Sequence, residues 1–313
     1  TDGAAGTVFL RPSGADLGTL VIDNADRCTQ DLALTELPSV PPAVIEAGGL
    51  NATWLTKPGE TWEDSRWTGY WLTPNRDEGE VTLTDNTKFL ITGNTADSLT
   101  VAGGDMTSVA GAGDTYGSFF EFSDIVVRRT SRLWTSGDIL VSGPGGELSV
   151  DSNSWVQSRV LEIGAGGDGL TMDGSVIDVS DGGLLISGDV SVSGDSEVWL
   201  GGLGLDVSGD VVLAGTTELS QGTGGLAIGG GLSLEDSAEM TLGSASVTVG
   251  AAVDLGSGTS IGCAPVEEGV ANRVAIEAAS LNISAGASID VYAKGYPAQT
   301  WRDFDSWAGG SSF

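Results

Sequence analysis

The chain has 313 residues, and its 43 Asp and Glu outnumber its 13 Lys and Arg to give a formal net charge of −30. This charge excludes nucleic acid as a partner, because nucleic-acid binding depends on cationic groups that neutralise phosphates. The 49 Gly and a hydrophobic fraction of 40% predict many tight turns around a buried core and exclude a generally disordered chain.

Residues 1–23 are predicted to contain the first strands of a β-helix. Two short apolar runs, at residues 8–10 and 20–22, have the length and composition of strands. The chain opens on Thr-Asp-Gly and lacks a signal peptide, which indicates a chain already cut from a longer one.

Residues 24–117 are predicted to form a linker followed by a small β module that is inserted into the β-helix. The Pro-rich run at residues 37–42 indicates a rigid, extended linker. Strand patterns follow at residues 80–83, 88–91 and 98–101, separated by Asn, Asp and Gly. Such spacing is typical of hairpins, so we expect a hairpin or barrel-like module on the side of the β-helix.

An aromatic cluster falls within eighteen positions of this module, and it consists of Trp54, Trp62, Trp67, Tyr70 and Trp71. The favoured interpretation is the compact core of a small domain. The alternative is an exposed platform on which sugar rings stack, since indole and phenol faces accept such partners. These five residues are the candidate ligand-binding residues.

Several short motifs stand out in the first 135 residues. They are Gly-Thr-Val-Phe-Leu-Arg-Pro at residues 6–12, Trp-Thr-Gly-Tyr-Trp-Leu-Thr-Pro-Asn at residues 67–75, and shorter runs at residues 20–24, 91–95 and 113–116. Together they resemble a module of large, repetitive, adhesin-like bacterial surface proteins of β-solenoid type, over about residues 3–135. The resemblance implies an exported protein and assigns no catalytic residues.

Residues 118–293 contain an internal repeat of about 21 residues. The run Leu-Leu-Ile-Ser-Gly-Asp-Val at residues 184–190 matches Leu-Asp-Val-Ser-Gly-Asp-Val at residues 205–211. Each repeat holds three pairs of apolar residues, and the two members of a pair are separated by one residue, which is the period of a strand. Three short strands per repeat predict an all-β fold, a parallel β-helix, in which successive coils stack.

The β-helix prediction has specific consequences. Val190, Val211, Leu232 and Val253 should pile up in one buried column. The Gly residues between the first and second strands should adopt positive φ at sharp corners. Residues 264–273 are expected to protrude as a loop, and residues 294–313 to form a Gly/Ser-rich tail.

Acidic residues provide the candidate metal ligands. The chain has no His and only two Cys, Cys28 and Cys263, so it offers few of the residues that usually bind zinc. Cys263 is expected to be a buried core residue. Calcium is the one cofactor considered, and its candidate ligands are Asp151, Asn153, Asp189 and Asp210. Asp189 and Asp210 could also act as an acid and base pair, but their Ser-Gly-Asp context favours a role in turns.

Three arginines, Arg128, Arg129 and Arg132, form a basic group in this acidic chain. They could bind an anionic glycan. Local pairing with acids such as Glu121 and Asp124 is the favoured interpretation.

The sequence favours a structural or adhesive segment of a large surface protein, located outside the cell or on its surface. Its expected partners are further copies or neighbouring segments of the same protein, and glycans. No stretch approaches the ~20 apolar residues of a membrane helix, so membrane insertion is not expected. The chain is not expected to be an enzyme. The alternatives are a polysaccharide-acting β-helix enzyme and a glycan-binding module that uses the tryptophan cluster.

Overall fold

A computed structural model describes residues 6–15, 17–25, 34–76, 88–243, 246–264 and 275–290. These residues form strands and turns, together with one turn of 3₁₀ helix at Met106–Ser108. No helix within these ranges has the length and apolar character needed to cross a membrane. The predicted strand at residues 80–83, nearly all of the predicted loop at residues 264–273 and the predicted tail at residues 294–313 lie outside the described residues.

The N-terminal strands and those of the inserted module are β1 (Gly6–Leu10), β2 (Thr19–Asp23), β3 (Leu34–Glu36), β4 (Ala43–Val44), β5 (Trp54–Thr56), β6 (Trp71–Thr73), β7 (Phe89–Asn94) and β8 (Ser98–Ala102). The chain continues with β9 (Thr115–Phe122), β10 (Asp124–Arg128), β11 (Arg132–Trp134), β12 (Asp138–Val141), β13 (Glu147–Asp151), β14 (Trp155–Gln157), β15 (Val160–Ile163), β16 (Gly169–Asp173), β17 (Val176–Val179), β18 (Gly183–Ile186), β19 (Asp189–Ser193) and β20 (Glu197–Leu200). The last strands are β21 (Gly204–Val207), β22 (Val211–Leu213), β23 (Glu218–Gln221), β24 (Leu226–Ile228), β25 (Leu232–Leu234), β26 (Glu239–Leu242), β27 (Ser246–Leu255), β28 (Ser260–Cys263), β29 (Ala275–Ile283) and β30 (Ser288–Asp290).

The predicted parallel β-helix is confirmed. Each regular coil contributes a first, a second and a third strand, and each strand pairs in parallel with its equivalents in the coils before and after it. In β27 and β29 the first and second strands merge into one bent strand. The third strands, from β3 and β11 to β28 and β30, form a separate sheet.

The core is a set of vertical aliphatic columns. Val190 pairs with Val211, Val211 with Leu232, and Leu232 with Val253, and all four are buried. Strands in such a stack are ~4.8 Å apart, so alternate side chains of every coil meet in a dry column. Cys263 is buried in the third-strand column, opposite Leu242.

The N-terminal strands differ from the expectation. β1 is not part of a coil, because it pairs antiparallel with β2 as the outer arm of a hairpin. β2 is the true coil strand and pairs in parallel with β10. All residues of β1 are exposed, including Val8, Phe9 and Leu10.

The inserted module is interleaved with the solenoid. β3 lies within the region expected to leave the repeat, yet it pairs in parallel with β11, so it belongs to the first coil. β9 serves both parts: its N-terminal half pairs antiparallel with β4 and β6, and its C-terminal half pairs in parallel with β12. The boundary expected between residues 117 and 118 therefore falls inside a continuous strand.

The module is an antiparallel sheet with a core of its own. β5, β6, β7 and β8 pair antiparallel, and the strands predicted at residues 88–91 and 98–101 are β7 and β8. The predicted linker is packed against this sheet, because Val40 is fully buried and its N–H donates to Oγ of Ser118 at 2.8 Å. Tyr116 is also fully buried, and this burial raises the pKa of its hydroxyl well above the ordinary value.

Glycine is required between the first and second strands for a reason other than the predicted positive φ. Gly209 and Gly230 do not adopt positive φ. A Cβ at Gly209 would instead lie 2.6 Å from the backbone oxygen of Gly188, and a Cβ at Gly230 would lie 2.7 Å from the backbone oxygen of Gly209. Glycine is needed there because the corners of neighbouring coils approach each other closely.

Candidate functional site

Two arginines of the basic group at the start of the solenoid, Arg128 and Arg129, pair with Asp23. Nε of Arg128 lies 3.0 Å from Oδ2 of Asp23, and Arg129 forms an ion pair with the same oxygen. The expected pairing with Glu121 and Asp124 is wrong. Parallel pairing of β2 with β10 makes Arg128 the register partner of Asp23, so the acid that meets the arginines is provided by the neighbouring coil.

Glu121 and Asp124 have other partners. Glu121 accepts hydrogen bonds from Lys88 and Ser142, each at 2.7 Å. Asp124 accepts hydrogen bonds from Thr19 and Ser123, each at 2.9 Å.

This ion pairing makes the stability of the first coil depend on pH. The hydrogen bonds and charge of Arg129, with a further hydrogen bond from Arg128, lower the pKa of Asp23 to about 2, against about 3.9 in an unfolded chain. The unfolded state therefore takes up a proton first as the pH falls. The stabilisation is present above about pH 4 and is lost towards about pH 2.

We expect Asp23→Asn to lower the free energy of unfolding at neutral pH, and the difference from the parent protein to shrink between about pH 4 and about pH 2. Urea unfolding of both proteins across this range measures the difference directly. A difference that does not change with pH would show that the carboxylate charge is not what Arg128 and Arg129 require.

Asp189 and Asp210, the candidate acid and base pair, accept hydrogen bonds from the backbone of the solenoid. Oδ1 of Asp189 accepts a hydrogen bond from the N–H of Asp210 at 2.9 Å, and Oδ1 of Asp210 accepts one from the N–H of Gly231 at 2.7 Å. Each carboxylate thus fixes the corner of the next coil. This arrangement gives both residues a structural role at the turn.

The other two candidate metal ligands lie at one turn. Asp151 ends β13 and its Oδ1 accepts a hydrogen bond from the N–H of Arg129, while Asn153 is exposed with φ of 58°. Within the described ranges, no three His, Cys, Asp or Glu side chains come together in a way that could hold a metal ion.

The five aromatic residues of the module do not share one surface. Trp62 and Trp67 are 8% and 4% exposed and belong to the module core, whereas Trp54 is 37% exposed. Tyr70 packs edge-on between Trp67 and Phe120. Trp71 stacks on Phe119 and has Nζ of Lys88 5.9 Å from its ring centroid.

A buried ion cluster joins the module to the solenoid. Asp138 is fully buried and accepts from Arg159 through both oxygens, at 2.9 and 2.8 Å. Its Oδ1 also accepts from Arg76 of the module at 3.1 Å. The side chain of Arg76 is 3% exposed, so this contact lies within the interface between the two parts.

A second aromatic group lies on the outer side of the third-strand sheet. Trp134 of β11, Trp155 of β14 and Trp199 of β20 flank the inward-facing residues of their strands and are half-buried. We call the outer side of β11, β14, β17 and β20 the indole face. The rings of Trp155 and Trp199 meet edge-on with centroids 6.3 Å apart, and the guanidinium of Arg132 lies 4.5 Å from the ring centroid of Trp155.

Two adjoining cavities open on the indole face. The larger, of about 310 Å³, is lined by Leu34, Glu36, Arg132, Trp155 and the two residues that it shares with its neighbour, Trp134 and Gln157. The smaller, of about 220 Å³, adds Arg159, Asp178 and Asp181. Because two lining residues are common, the cavities form one groove across successive coils.

The indole face and the ion cluster were not predicted from the sequence. The tryptophans could have been found by asking which residues alternate with the core positions Leu133, Val156 and Val198, since side chains of a strand alternate between its faces. Arg76 gives no such signal, because its partner Asp138 lies 62 positions away outside any repeat.

Comparison of the chain with protein-family models, with curated proteins and with solved structures finds no match.

Proposed function

We propose that the chain is a structural, adhesive segment of a large extracellular surface protein, in which the solenoid acts as a rod-like scaffold. The observation that carries the proposal is the contrast between the two sides of one sheet. Inward positions of the second strands stay aliphatic from Val190 to Val253. The outward positions beside them vary from Ser191 and Val212 to Ser233 and Asp254.

This contrast suits a scaffold. Stability comes from the inward columns, so each coil needs only its neighbours for support. The outward residues are then free to differ, and a scaffold uses that freedom to present varied contacts along its length. The net charge of −30 favours the solubility of such a rod.

The N-terminal hairpin supports association at the end of the rod. Among the described strands, β1 pairs with β2 only, and Val8, Phe9 and Leu10 are each about half exposed. A strand with a free edge and apolar side chains readily pairs with another chain. We therefore include a neighbouring segment or a second copy among the partners of the proposed scaffold.

Deletion of one complete coil tests the scaffold role. Removing residues 205–225 places Leu226 where Leu205 stood, so Leu184 regains an aliphatic partner. We expect a folded protein whose rod is shorter by one strand spacing, ~4.8 Å. Spin labels at Ser149→Cys and Asp254→Cys, in a background in which both Cys28 and Cys263 are replaced, report the distance by pulsed electron paramagnetic resonance.

The matched control removes residues 205–214, which deletes two of the three strands of the same coil, and we expect it not to fold. If the half-coil variant folds, or if the full-coil variant does not, the coils are not interchangeable supports. Antibodies against the purified chain test the location: labelling of intact cells is expected, and labelling only after permeabilisation would contradict an extracellular role.

A further inference from the structure

The indole face combines flat apolar surfaces with hydrogen-bonding groups in a regular array. Its outward residues form two columns. One contains Leu34, Arg132, Trp155, Val176 and Glu197, and the other contains Glu36, Trp134, Gln157, Asp178 and Trp199. Successive members of a column are ~4.8 Å apart, because they occupy successive strands.

The second column has the pattern expected of a site for an extended ligand. Trp134 and Trp199 are three strands apart, so their backbone positions are separated by ~14 Å along the column. Gln157 and Asp178 lie between them and provide an amide and a carboxylate. Trp155, in the neighbouring column, packs edge-on against Trp199 and extends the aromatic surface sideways.

Three charged residues of this face already have contacts within the protein. Arg159 is held by Asp138, and Arg132 lies over the ring of Trp155. Oδ1 of Asp178 accepts a hydrogen bond from the N–H of Ser180 at 3.0 Å. Nε1 of Trp155 is shielded from solvent and has no hydrogen-bond partner among the described residues.

We propose that the indole face binds a neutral polysaccharide, which lies in the groove beside Trp134 and Trp155 and reaches Trp199 outside the groove. Sugar rings present apolar C–H faces to indoles and hydroxyl groups to amides and carboxylates, so a chain of sugars matches both kinds of group on this face. This proposal does not depend on where the protein is located or on its role as a rod.

The surroundings exclude other occupants. Glu197 ends the first column on the indole face, and Glu218 and Glu239 continue the column beyond it. An acidic polysaccharide lying along the sheet would meet this row of carboxylates. A second copy that presented the same face would bring two such rows together, and like charges at short range repel each other.

Affinity electrophoresis tests the proposal. The probes are a β-glucan, a xylan, a mannan and dextran as neutral polysaccharides, and polygalacturonate and alginate as acidic ones. We expect at least one neutral polysaccharide to retard the parent protein. Trp134→Ala and Trp199→Ala should each weaken this binding at least tenfold, whereas Trp54→Ala, an exposed tryptophan of the module, should leave it unchanged.

Several results would overturn the proposal. They are no retardation by any neutral polysaccharide, stronger retardation by the acidic ones, equal loss in Trp54→Ala, or self-association that Trp134→Ala abolishes. Thermal melting checks that the variants fold. If either tryptophan variant unfolds, Gln157→Ala replaces it and should weaken binding severalfold. In the parent protein, the tryptophan emission should shift on titration with the bound polysaccharide. Unchanged affinity in Gln157→Ala would then contradict the site.

Discussion

Val211→Asp is expected to destabilise the solenoid by on the order of 4–5 kcal/mol. Val211 is fully buried and lies between Val190 and Leu232 in the second-strand column. A carboxylate at this position would lose its hydration and find no cationic partner among these aliphatic side chains. Urea unfolding followed by circular dichroism measures the loss.

Val212→Asp is the matched control. Val212 is the next residue of the same strand, and its side chain points outward between Ser191 and Ser233. We expect this substitution to change the free energy of unfolding by less than about 0.5 kcal/mol, as is usual for surface changes. Equal losses in the two variants would show that the inward column is not the main source of stability.

Asp138→Ala should cost about 3–5 kcal/mol, since it removes the buried acid that neutralises Arg76 and Arg159. The loss should affect the attachment of the module to the solenoid, because Arg76 comes from the module and Asp138 from the first strand of a coil. Urea unfolding followed by tryptophan fluorescence measures the loss, since Trp62 and Trp67 lie in the module core and Trp134, Trp155 and Trp199 lie on the solenoid.

The control for this prediction is an exposed ion pair. Lys57 and Glu46 lie 2.9 Å apart at the surface, and Glu46→Ala is expected to cost less than about 1 kcal/mol. Replacing the whole cluster by apolar residues, with Arg76→Met, Asp138→Leu and Arg159→Met, should recover most of the stability lost in Asp138→Ala. If Asp138→Ala lowered the free energy of unfolding no more than Glu46→Ala, the ion cluster would not stabilise the attachment of the module to the solenoid.

The coil architecture could be predicted because the residues that produce it recur once in every coil. A column such as Val190 to Val253 requires the same residue class at the same position of every coil, so the sequence displays the packing directly. The reason for the corner glycines was not visible in the same way. Their constraint comes from the backbone of Gly188 and Gly209 in the coil before, and one coil read alone suggests only a local turn.

The features that the sequence did not reveal lie where the repeat is broken. The antiparallel pairing of β1 depends on which strand edge is free, and the return of β3 to the solenoid depends on a partner, β11, almost a hundred positions later. An aromatic cluster was predicted in the module because five aromatic residues are close in sequence there. Trp134, Trp155 and Trp199 are brought onto one face by stacking, which sequence proximity does not show.

The inserted module also affects the order in which the coils assemble. Regular coils join strands about 21 positions apart, as between Leu184 and Leu205, whereas the first coil must join Thr19 to Asp124 across 105 positions. Closing the longer loop costs about 1.4 kcal/mol more in chain entropy, at about 0.6 kcal/mol for each doubling of length. Folding should therefore nucleate among the regular coils and spread towards the N-terminus, with the first coil docking last, after the module has shortened the gap.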